Sequence, residues 1–119
     1  MFLQKLAISL AITGEGLTSL DADNVGADDT AGALLVYGAE VLAAVSNDEN
    51  LPPSPVLQVV TDNLSGKALT TIKLARVGLT AASVFLSFQD RRAATAIKYV
   101  RQALDALANG QAFPTAPAI

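Results

Sequence analysis

Residues 67–88 read KALTTIKLARVGLTAASVFLSF, and how this segment folds decides the architecture of the chain. Its polar residues Lys73, Arg76, Thr80, Ser83 and Ser87 recur at intervals of three, four, three and four, which is helical spacing. Everything between them is small or apolar, so the segment is a cylinder with one narrow polar stripe. At 1.5 Å per residue it spans ~33 Å, enough for the central strut of a small domain.

The flanking sequence supplies further helices. Asp90 can cap a helix over 91–108, with Ala93, Ile97, Val100, Leu104 and Leu107 facing inward and Asn109-Gly110 as its stop. Upstream, Asp28 and Asp29 provide the N-cap and first-turn acids of a helix over 30–46. Its face Ala31, Leu34, Leu35, Gly38, Val41, Leu42 and Val45 is apolar, and so are Ala33, Val36, Ala39 and Ala43 opposite. A helix apolar nearly all round is expected to be buried nearly all round. Ser54 and Pro55 form a start signal for a short helix over 55–63, interrupted by Ser65 and Gly66. Gly32, Gly38 and Gly78, with abundant alanine, let helix backbones approach closely.

The two ends read differently. In Leu6–Thr13, Leu6, Ile8, Leu10 and Ile12 alternate at strand spacing, while Leu3, Leu6, Ala7 and Leu10 fit a helix equally well. Residues 1–13 are therefore an N-terminal arm, either a short strand or a helix, ended by Gly14 and Gly16. Pro114 and Pro117 keep residues 111–119 extended, with Phe113 and Ile119 as anchors on the chain's own domain or on a neighbour. The expected fold is all-α: one domain over 1–110, a four- to five-helix bundle around the long helix, with extended terminal arms.

Composition narrows the function. Of 119 residues, 51% are hydrophobic and only 16% charged, where a soluble domain usually carries roughly 25% charged residues. The excess apolar surface calls for a partner or a membrane. The longest charge-free apolar run, 77–88, and the run 31–45, which carries Glu40 near its middle, both fall short of the ~20 residues a span needs, so no transmembrane segment is expected. The N-terminus has one Lys and no small-x-small cleavage site, so no signal peptide is expected.

Neither Cys nor His is present. That removes disulfide stapling, Ser-His-Asp and Cys-His nucleophiles, ordinary zinc sites and an imidazole switch. With Asp, Glu, Lys, Tyr, Ser and Thr remaining, a non-enzymatic chain without cofactors is expected. Asp21–Gly32 superficially follows a calcium loop, but Val25 and Gly32 stand where a ligand and the bidentate glutamate are needed. The run is better explained as a turn leading into a helix cap. Glu40 and Lys73 could form a catalytic pair, although a structural pairing of Glu40 with Lys73 or Arg76, or exposure of each, accounts for them more simply.

Charge is sorted along the chain. Glu15, Asp21, Asp23, Asp28, Asp29, Glu40, Asp48, Glu49 and Asp62 include no base among them, while Lys67, Lys73, Arg76, Arg91, Arg92, Lys98 and Arg101 are interrupted only by Asp90. Such sorting serves internal neutralisation or directional contacts between subunits. Arg91 and Arg92 oppose the dipole at a helix start, which marks them as candidate interface residues beside Phe113 and Ile119.

These features point to a structural assembly subunit of a larger homo- or hetero-oligomeric particle. By analogy it is a phage or viral capsid, tail or accessory protein in a virion or the cytoplasm, with other protein subunits as partners. A helical adaptor or regulatory module is the alternative. Contact with nucleic acid ranks third, because the net charge is −3 and no aromatic residues interleave with the bases.

Overall fold

Among the described residues four helices form in chain order: α1 (Phe2–Thr18), α2 (Ala27–Ser46), α3 (Gly66–Leu86) and α4 (Arg91–Asn109). The computed structural model describes residues 2–18, 26–55, 57 and 63–117, with the side chains of residues 2, 3, 17 and 18 left aside. Among the described residues there is no strand and the fold is an all-α bundle. Around the bundle the helices run α1, α2, α4, α3, with the α1–α3 junction much the loosest.

Local chemistry starts the later helices. Ser65 Oγ accepts the Ala68 N–H at 3.1 Å to cap α3, and Asp90 Oδ1 accepts the N–H groups of Arg92 and Ala93 to cap α4. Gly110 takes φ +66°, the left-handed conformation that ends α4. Helix α2 starts at Ala27, three residues before the expected Thr30, so its cap is Gly26, and Asp28 and Asp29, read as cap and first-turn acids, both fall in the first turn. Asp28 is itself buried and accepts the Ser65 N–H at 3.0 Å, tying the start of α2 to the cap of α3.

The helix at the centre is α2, and the expected central role of residues 67–88 is corrected accordingly. Leu34, Leu35, Val41 and Leu42 are fully enclosed between α1 and α4, whereas α3 packs mainly on α4 and sits at the edge. Nor does α3 stand out in length, with 21 residues beside the 20 of α2. Helix α2 is apolar on nearly every side; α3 has an apolar inner face, and that face alone enters the core.

The N-terminal strand is also corrected. Strand alternation would place Leu6, Ile8, Leu10 and Ile12 together, but Ala7 and Leu10 are buried while Ile8 and Ile12 are 57% and 66% exposed. The helical face is used because α2 covers it. Helix α1 continues through Gly14 instead of stopping there, for a steric reason. A Cβ on Gly14 would lie 2.6 Å from the Gly32 carbonyl oxygen and 2.8 Å from Val36 Cγ2, so this glycine is where α1 and α2 backbones touch.

The start signal at Ser54-Pro55 is not used as one. Residues 51–55 and Leu57 are irregular, and residues 56 and 58–62 of the expected short helix lie outside the described residues. The buried Tyr37 donates its hydroxyl to the Pro52 carbonyl at 3.2 Å, and Ser54 Oγ donates to the Pro117 carbonyl at 3.1 Å. The extended tail thus lies back on the chain's own 51–57 segment, and Phe113 packs half-buried against the core.

Candidate functional site: the outer face of the third helix

Helix α3 has two apolar faces. Ala68, Ile72, Leu79, Ala82 and Leu86 point into the bundle and are buried. On the opposite side Leu74 is 73% exposed, Val77 71%, Val84 58% and Phe88, just past the helix end, 87%, with Ala81 exposed between them. These five positions repeat at three, four, three and four, so they form one continuous ridge. The sequence showed the polar stripe and left this ridge unseen, because apolar periodicity alone does not say which of two apolar faces a neighbour will cover.

The polar stripe lies beside α4 rather than outward. Arg76 Nε pairs with Asp105 at 2.8 Å, and Arg101 Nη1 donates to Thr80 Oγ1 at 3.5 Å. Ser83 is buried and donates to the Thr80 carbonyl within its own helix. A shallow open groove of about 770 Å³ follows Lys73, Arg76, Val77, Thr80, Ala81 and Val84. Its walls belong to a single helix, so no groups converge across it. A second groove of about 340 Å³ lies at the loose α1–α3 junction, between Leu6, Ser9, Leu10 and Thr13 on one side and Thr71, Leu74, Ala75 and Gly78 on the other.

The residues singled out from sequence are dispersed. Glu40 is exposed on α2 and Lys73 on α3, and Arg76 is engaged by Asp105. Arg91 and Arg92 are exposed at the start of α4, with Lys98 exposed further along it. Phe113 is on the tail, while Ile119 lies outside the described residues. Of the calcium-like run, residues 21–25 also lie outside, and Gly32 is in the interior of α2. Among the described residues no three acidic groups come together as a metal site. Burial raises the Tyr37 pKa, partly offset by a hydrogen bond with Ser54 and reinforced by the Glu40 charge. Tyr99 is raised by burial and by its proximity to Tyr37.

Among the described residues two helices are long and apolar enough to cross a membrane: α2 at mean hydropathy 1.2 and α3 at 1.4. The charge-free runs counted from sequence were shorter because each helix includes charged residues that its average tolerates. More than half of α2 is buried inside the bundle but only a third of α3, which again singles out α3. No family model, curated protein or solved structure matches this chain.

Proposed function

We propose that the chain is a non-enzymatic assembly subunit that meets another protein through the outer face of α3. One observation carries the reading: a helix whose inner side completes the core presents a second, continuous apolar ridge to solvent. Scattered apolar side chains are normal on a surface, but a contiguous ridge with polar flanks is the pattern of a contact site. The polar flank is the side toward α4, along Lys73, Arg76, Thr80 and Ser87. A phage or viral shell or tail is the particle proposed, on analogy alone.

The adaptor reading draws support from the α1–α3 groove, where Leu6, Leu10 and Leu74 could receive an apolar side chain of a bound helix. Nucleic acid would instead fall on α4, along Arg91, Arg92 and Lys98. Against it stand the net charge of −3 and the lack of aromatic residues on that face.

Light scattering on the full chain tests the main reading. The wild type is expected above its single-chain mass of 12.2 kDa. Leu74→Glu/Val84→Glu, both at exposed positions, is expected to return to that mass with unchanged helical circular dichroism. A wild type that stays at one chain when concentrated, with a double variant equal to it in mass and solubility, removes the reading.

A further inference from the structure

Resting on the reading of α3 as a protein contact, we infer that its occupant is α3 of a second copy, packed antiparallel across a two-fold axis near Val77 and Ala81. Three features select this occupant. The first is the register of the ridge. Thr70, Leu74, Val77, Ala81, Val84 and Phe88 repeat at the alternating four and three of a coiled-coil seam, so two copies can interdigitate along their whole length. In the antiparallel register Leu74 meets Val84 of the second copy and Val77 meets Ala81, while Phe88 covers Thr70. The small Ala81 beside the axis lets the helices close.

The second feature is area. The four large side chains expose on the order of 600 Å² per chain, at the top of the range for the largest patch on a monomer. With Thr70, Thr80 and Ala81 this approaches the ~800 Å² that each partner contributes to a standard interface. A partner that used the ridge only in part would leave much of it wet.

The third is charge. No ionisable residue occurs from Val77 to Gln89, and the cations of α3 lie before Val77. Arg76 is held by Asp105, which leaves Lys73 beside the seam and Lys67 at its N-terminal end. A parallel pair would bring both Lys73 side chains to one end and align the helix dipoles. The antiparallel pair puts each Lys73 alongside Ser87 of the other copy, at the helix end that carries about half a negative charge. A membrane fits less well, because drawing α3 into lipid would strip Ile72, Leu79 and Leu86 from the core and break the Arg76–Asp105 pair.

The chain contains no cysteine, so single-cysteine variants report cleanly. In the proposed pair two copies of residue 74 are ten residues apart along the seam, about 15 Å, well beyond the ~7 Å limit for a disulfide. Under mild oxidation Leu74→Cys alone and Val84→Cys alone should therefore stay at single-chain mass on a non-reducing gel. An equimolar mixture should give a band of twice that mass. Homodimeric bands from each single variant, without enrichment in the mixture, overturn the antiparallel arrangement. No band from any sample, with a wild-type mass above one chain that Leu74→Glu/Val84→Glu abolishes, overturns the packing of α3 on α3 but leaves a protein contact through the ridge standing. A monomeric wild type that floats with vesicles of equal parts phosphatidylcholine and phosphatidylglycerol, while that double variant does not, assigns the ridge to lipid and overturns both. A monomer that neither cross-links nor floats also overturns both.

Discussion

Asp28 shows how one side chain joins distant parts of the chain. It lies in the first turn of α2, is 6% exposed, and accepts the N–H of Ser65, thirty-seven residues later. Asp28→Ala is expected to cost about 1–3 kcal/mol in urea unfolding, because it strands that N–H and removes an acid from a helix start. Asp28→Asn keeps an acceptor oxygen and should recover most of the loss. Tyr37 carries a pH dependence. Burial raises its pKa and that of Tyr99 above the ordinary 10.0. Over the window between the unfolded and folded values the native state holds more protons, so stability is complete below about pH 10 and falls as pH rises past it. Tyr37→Phe should be less stable than wild type near neutral pH by about 0.5–1.5 kcal/mol, from the lost bond to Pro52. Its thermal midpoint should then fall less than that of wild type on raising the pH to about 11, with Tyr99 retaining part of the effect. The Asp28 acid was legible in the sequence as a helix-start residue. Its partner was not, because a contact across thirty-seven residues depends on how α2 and α3 meet.

At the scale of elements, the helices over 30–46, 67–88 and 91–108 were legible from their periodicity, and the last also from its caps, Asp90 and Gly110. The face Ala93, Ile97, Val100 and Leu104 is buried as its spacing requires. What failed to read was competition between signals. Gly14 and Gly16 mark a stop only when no neighbour rewards continuation, and the close approach of Gly14 to Gly32 does so here. Ser54-Pro55 marks a start, but residues 51–55 are irregular, with Pro52 bonded to Tyr37 and Ser54 to Pro117. Which apolar face of α3 would be covered was equally closed to inspection, since both faces repeat at helical spacing. The glycines make a sharp test of the packing. Gly14→Ala must push α1 away from α2 and should destabilise by about 1–3 kcal/mol, as overpacked sites do. At Gly38 an added Cβ would meet Leu79, Val100 and Leu10 at 3.6–3.8 Å, ordinary contact distances. Gly38→Ala is thus expected to be neutral or to stabilise by up to about 1 kcal/mol through helix propensity. Chemical denaturation of the two variants side by side decides it, and a destabilisation by Gly38→Ala equal to that of Gly14→Ala would count against the α1–α2 crossing described.

For the whole molecule, the question is which part closes the fold and which part faces outward. A proline-containing tail reads from sequence equally as a strap on its own domain or as an arm for a neighbour, because Phe113 would be buried either way. Here Phe113 reaches the chain's own core, and Pro117 accepts from Ser54 on the segment that Tyr37 also holds. The tail is therefore part of the fold, and the ridge on α3 is left as the outward element. Removing residues 112–119 separates the two roles. It forfeits the partial burial of Phe113, worth up to about 1.5–3 kcal/mol if complete, and a hydrogen bond worth about 1 kcal/mol. The truncated chain should remain helical and melt roughly 5–10 °C lower, as a loss of about 2 kcal/mol implies for a domain of this size. Below its melting temperature its light-scattering mass should equal that of the full chain, because Leu74, Val77, Ala81, Val84 and Phe88 are untouched. A truncated protein that keeps its melting temperature but loses its assembled mass would reverse the assignment, making the tail the contact and the ridge a bystander.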